Sequence, residues 1–121
     1  MTGSHDLIVT QHTRPGSVRL ALTGELDYGT APRLRAAVEQ TALAAGDRLV
    51  IEMSGLAFCD SSGISALLAA STFTRTAGAA LVLAAVPARV LNVFELTGLT
   101  EIFTVLADDL DASRRRPLTA R

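Results

Sequence analysis

The sequence is poor in aromatic residues, with four Phe, one Tyr and no Trp in 121 residues. Its core must therefore be aliphatic and alanine-rich, and 49% hydrophobic residues is ample material for one. Cysteine occurs once, at Cys59, which excludes a disulfide-stapled scaffold and gives no partner for a thiolate metal site. Neither charge sign dominates: eleven basic and twelve acidic residues leave a net charge of −1. Binding nucleic acid through global charge needs a concentrated positive surface, so that partner class is excluded. Long apolar runs are missing as well. The strongest, near residues 65–70 and 79–88, fall short of the roughly 20 residues that cross a bilayer. No basic start followed by an apolar stretch marks a signal peptide, so a cytoplasmic protein without membrane attachment is expected.

The motifs of common enzymes are also missing. His5 and His12 lie beside the first expected strand, far in sequence from any candidate nucleophile. Gly63-Ile64-Ser65-Ala66-Leu67 has the first three positions of a nucleophile elbow and lacks its closing glycine. No phosphate loop and no metal-ligand spacing occurs. Cys59 ends the apolar run Leu56-Ala57-Phe58-Cys59 and reads as a small buried hydrophobe. The expectation is a non-enzyme with no catalytic residue, no metal and no cofactor.

What is present reads as one domain over residues 5–113, followed by a flexible Arg-rich tail at 114–121. Residues 7–10 and 18–23 flank Arg14-Pro15-Gly16 and predict a hairpin; Val18, Leu20 and Leu22 alternate with Arg19, Ala21 and Thr23. Thr30-Ala31-Pro32 predicts a helix start, capped by Thr30, with Leu34, Ala37, Val38 and Thr41 on one stripe and Gly46 as the stop. Leu43 falls off that stripe. Leu49-Val50-Ile51 predicts a strand covered on both faces. A second helix is expected from Asp60 to about Ala77, a strand over 80–86, a helix from Pro87 to about Gly98, and a last strand over 102–106 followed by a helical turn or two over 107–113. Strands alternating with helices imply an α/β sandwich, a mixed sheet whose later strands are parallel.

The informative segment is Asp60-Ser61-Ser62-Gly63, between a buried strand and a helix. A helix N-terminus has unpartnered N–H groups and partial positive charge. A serine there has two possible jobs. It can cap the helix, worth about 1 kcal/mol, or accept a phosphate, whose charge of about −1.5 to −2 suits that end. The helix that follows carries one charged residue, Arg75. At about 100° per residue, Ile64, Leu67, Leu68 and Ser71 face the sheet, and Ser62, Ala66, Ala69, Ala70, Phe73 and Ala77 face away. An uncharged outer face reads as a docking surface anchored by Phe73, against the competing reading of cover by a neighbouring helix. The docking reading predicts that Phe73→Glu abolishes partner binding and leaves the fold intact.

These residues carry a resemblance. Residues 49–70, an apolar strand, a short loop and Asp60-Ser61-Ser62-Gly63 opening a helix, resemble the phosphorylation signature of the STAS domain in its stand-alone form, the anti-sigma factor antagonists. Leu22-Thr23-Gly24-Glu25-Leu26-Asp27 with Thr30-Ala31 resembles that family's first strand-to-helix passage. Val93-Phe94-Glu95-Leu96-Thr97-Gly98-Leu99 with Ile102-Phe103 resembles its C-terminal signature. The resemblance implies a STAS-type sandwich with helices mainly on one face of a mixed sheet. It also implies a partner switch: the unphosphorylated antagonist binds an anti-sigma factor that is also a serine kinase, and a sigma factor is released. Phosphorylation ends the binding, and a phosphatase reverses it. Carried over by position, Ser61 is the phosphoacceptor, Asp60, Ser62 and Gly63 shape its loop, and Asp27 and Thr30 are kinase-recognition residues beside it. The small-residue face, Ala66, Ala69, Ala70 and Phe73, joins them in recognition, and a monomer or weak dimer is expected. Tyr28-Gly29 departs from the family pattern by giving the loop after Asp27 a freer backbone. The alternative implication is a non-catalytic STAS subunit of a larger transport or stress-signalling assembly, with Ser61 a helix cap and no phosphate cycle.

Overall fold

A computed structural model describes residues 6–106. The ends of the expected domain, the helical turns at 107–113 and the arginine tail 114–121 lie outside the described residues.

β1 (Leu7–Arg14) and β2 (Ser17–Leu26) form the expected antiparallel hairpin, closed by Pro15-Gly16. Gly16 takes φ +79°, the left-handed conformation that a turn with proline before it requires. α1 (Ala31–Glu39) leads to β3 (Arg48–Cys59), α2 (Ser61–Thr76) to β4 (Ala80–Ala84), and α3 (Ala88–Thr97) with a 3-10 turn (Leu99–Glu101) to β5 (Thr104–Leu106). The sheet order is β1-β2-β3-β4-β5; β1 is antiparallel to β2 and every later pair is parallel. Crossovers between neighbouring parallel strands are right-handed, so successive helices land on the same face. Accordingly Leu34 and Val38, Ala66 and Leu67, and Val90 and Phe94 share one core with the strand residues Leu20, Leu22, Leu49, Ile51, Met53 and Leu83. The alternate strand positions Val50, Val82, Ala84 and Leu106 form a smaller apolar cluster on the opposite face. This is the expected sandwich.

Several elements differ in length from expectation, α1 and β3 the most: β1 and β2 are longer than expected, and β4 and β5 shorter. α1 ends at Glu39, well before Gly46, because Thr41 turns its hydroxyl and N–H onto the Val38 carbonyl, at 2.6 and 3.1 Å. Leu43, off the helical stripe, thus lies beyond the helix and packs against the core from an irregular segment. Gly46, at φ +87°, belongs to the turn into β3. β3 is twelve residues long, far beyond its apolar run, and gains residues on β2 through two register shifts. At Gly55 a Cβ would meet the Leu22 carbonyl oxygen at 2.7 Å, so the bulged segment lies against β2 only because that position is glycine.

Candidate functional site

β2 and β3 end side by side. Leu26 pairs with Cys59, and the Asp60 N–H donates to the Leu26 carbonyl at 3.2 Å. The turn from β2 into α1 and the turn from β3 into α2 therefore lie next to one another at the carboxyl ends of parallel strands, where open α/β sheets place their sites.

Asp60 is the N-cap of α2, in extended backbone geometry. Its Oδ1 accepts from the Gly63 N–H at 3.1 Å and its carbonyl from the Ile64 N–H at 3.0 Å. The cap is thus an aspartate, and of the two jobs open to Ser61 that one is taken. Ser61 is exposed, its hydroxyl bonded to no other described residue, at the first position of a sixteen-residue helix. Ser62, half-buried, follows it in the first turn. At Gly63 an added Cβ would lie 2.7 Å from Leu26 Cγ and 2.9 Å from both Cys59 Sγ and the Leu26 carbonyl oxygen. Glycine alone lets the first turn of α2 press against the end of β2, which fixes the height of Ser61 above the sheet. Its occurrence in a helix's first turn, where glycine costs about 1 kcal/mol against alanine, was the sequence signal for this contact.

The neighbouring loop is held from inside. Asp27 and Thr30 bond reciprocally: Thr30 Oγ1 accepts from the Asp27 N–H at 2.9 Å, and Asp27 Oδ1 accepts from the Thr30 N–H at 3.0 Å. The Thr30 hydroxyl donates to the Glu25 carbonyl at 2.7 Å, and the Asp27 carbonyl takes the Ala31 N–H at 2.8 Å. Thr30 is 2% exposed and makes no cap bond to α1. This corrects one expectation: Thr30 is not the side-chain cap of the helix. It anchors Asp27 instead. Between them stand Tyr28, exposed at 83%, and Gly29.

Cys59 is half-buried beneath the site, its pKa pushed up to about 11 by burial and, secondarily, by the Asp60 charge. Its thiol stays protonated and weakly nucleophilic at neutral pH. Among the described residues no cluster of three or more His, Cys, Asp or Glu could hold a metal ion. None of the described helices is long and apolar enough to cross a membrane.

The small-residue face of α2 is corrected more heavily. Ala66 and Ala70 are 1% and 2% exposed, and Ala69 and Phe73 are half-buried. All four line the seam with α1, opposite Arg35, Val38 and Glu39, around a dimple of about 30 Å³. That is room for about one water. Cover by the neighbouring helix wins, because consecutive same-side crossovers set α1 against α2. The outer ridge of α2 is instead Ser61, Ser65, Thr72, Arg75 and Thr76, polar throughout.

The comparisons agree with this architecture. The family model described as "STAS domain" matches residues 8–112. The "Anti-sigma-B factor antagonist" of Listeria monocytogenes is 30% identical over 88 residues, 73% of this chain and 77% of that protein. An anti-sigma factor antagonist from Mycobacterium paratuberculosis superposes with TM-score 0.76 at 24% identity, covering 93% of this chain and 96% of that one. The antagonist SpoIIAA in its unphosphorylated form superposes with TM-score 0.65 at 20% identity, over 88% and 93% of the two chains. The two structures are likenesses of fold.

Proposed function

The chain belongs to the STAS domain family, and on that premise we propose that it is an anti-sigma factor antagonist switched by phosphorylation of Ser61. The unphosphorylated protein binds an anti-sigma factor with serine kinase activity in the cytoplasm and so frees a sigma factor. A protein phosphatase resets it. The observation that carries this reading is the division of labour at the start of α2: Asp60 caps the helix, leaving the Ser61 hydroxyl exposed. The names of the Listeria relatives favour it over a scaffold subunit, in which a capping serine would be expected.

In the transfer, the Ser61 oxygen attacks the γ-phosphorus of an ATP held by the partner. The new O–P bond forms as the bond to ADP breaks, and the hydroxyl proton leaves to a base on the partner. This chain contributes the acceptor and its placement; the catalyst belongs to the kinase. The added charge of about −1.5 to −2 arrives beside Asp60 and the Asp27 loop. Two carboxylates and a phosphate crowded at one rim repel any surface shaped for the unmodified rim, and the partner leaves.

The test is intact mass and peptide mapping after incubation with ATP and each candidate serine kinase anti-sigma factor of the same genome, beside Ser61→Ala. One phosphate on Ser61, absent from the variant, is expected. A kinase that binds tightly and adds none would overturn the switch and leave the scaffold reading.

A further inference from the structure

With Phe73 turned into the α1–α2 seam, the outer ridge of α2 offers a partner no large apolar group. Five aromatic side chains exist in the chain. Phe94 and Phe103 meet at a tilt in the core, and Phe73 is half-buried in the seam. Phe58 is 44% exposed, but its neighbours Leu56 and Cys59 pack on the helix-side core and Phe58 does not, which directs it to the other face of the sheet. Tyr28 remains. It is 83% exposed, with no hydrogen bond or ring contact to another described residue.

Its position is set by the rigid parts around it. Leu26 is registered against Cys59 and bonded to Asp60, and Asp27 and Thr30 are locked to one another. Tyr28 therefore projects from a braced loop two residues beyond the strand end that abuts the Asp60-Ser61 turn. Gly29 beside it adds no side chain, and a Cβ there would meet nothing closer than Asp27 Oδ1 at 3.6 Å. A solvent-exposed tyrosine on a fixed base combines large contact area with little ordering cost, the properties of an interface anchor.

Resting on the phosphorylation reading above, we infer that Tyr28 is the specificity-determining contact by which the serine kinase anti-sigma factor recognises this protein. The occupant follows from continuity: a kinase that brings ATP to Ser61 must cover the adjacent rim, and Tyr28 is the large side chain standing on it. Tyr28 touches neither ATP nor the reacting oxygen, so it acts on binding and leaves the chemical step alone.

The experiment measures Kd for the unphosphorylated protein, and kcat and KM for Ser61 phosphorylation, using the purified cognate kinase with wild type, Tyr28→Ala and Tyr28→Phe. Tyr28→Ala is expected to raise Kd and KM at least tenfold with kcat within twofold of wild type, and Tyr28→Phe to recover most of the affinity. Circular dichroism of Tyr28→Ala should match wild type, as the side chain is 83% exposed. Unchanged Kd in Tyr28→Ala, or a loss confined to kcat, overturns the assignment. If the wild type neither binds nor is phosphorylated by any candidate kinase, the functional reading falls and takes this inference with it; wild-type phosphorylation with an indifferent Tyr28→Ala sinks this inference alone.

Discussion

Asp60 gives its carboxylate to the Gly63 N–H, and in doing so it takes the capping role from Ser61. Aspartate caps as well as serine does, so the motif alone leaves open which of two adjacent oxygens turns inward. The same carboxylate bears on Cys59. Burial first and the Asp60 charge second raise the thiol pKa from about 9.0 to about 11, so the folded protein holds a proton that the unfolded chain releases. The contribution to stability is therefore full below about pH 9 and lost as the pH climbs through about 11. Because alkylation follows the thiolate fraction, iodoacetamide at pH 8 should label native protein about a hundredfold more slowly than urea-unfolded protein. Intact mass against time measures this; equal rates would mean that the thiol is open and Cys59 is not buried as described.

At the scale of elements, α2 carries the largest revision. Its sequence displays two uncharged faces, and helical periodicity says where those faces point without saying how many neighbours stand beside them. α1 stands against the second face, with Val38 buried there and Glu39 at its rim. Phe73→Glu would thus replace a packed ring with a carboxylate at a seam that Arg35 and Glu39 also line. It is expected to cost about 1–3 kcal/mol of stability, read as a lower urea midpoint with unchanged slope. An unaltered midpoint would return Phe73 to the surface and revive the docking face. α1 shows the opposite kind of shortfall: its apolar stripe continues to Thr41, yet the helix ends because the Thr41 hydroxyl competes for the Val38 carbonyl. That competition is local, and the threonine was its visible sign.

For the molecule as a whole, phosphorylation should change its surface and leave its fold. Ser61 lies outside the packed core, so a phosphate there displaces no side chain. Attraction to the helix N-terminus, about 0.3–1 kcal/mol, is opposed by the Asp60 carboxylate and the nearby Asp27. The phosphorylated and unmodified proteins should therefore melt within about 5 °C of one another while differing sharply in partner affinity. Calorimetry on the two forms checks this. A drop well beyond that margin would make the switch a local unfolding instead of a repulsion between charged surfaces.

The sequence by itself determined the order and kind of the elements, the mixed sheet and the place of the Asp60-Ser61-Ser62-Gly63 turn at a helix start. These rest on periodicity, on turn residues such as Pro15-Gly16, and on polar groups at chain reversals, all written within a few consecutive positions. Only the tertiary structure decided the rest. That Gly63 must be bare because Leu26 and Cys59 press on it is a relation between segments some 37 positions apart. That Thr30 is an internal anchor while Tyr28 beside it is exposed, and that the Ala66–Phe73 face is seam and not surface, depend likewise on which neighbour arrives. Burial belongs to pairs of elements, and a single helix or loop carries only one member of each pair.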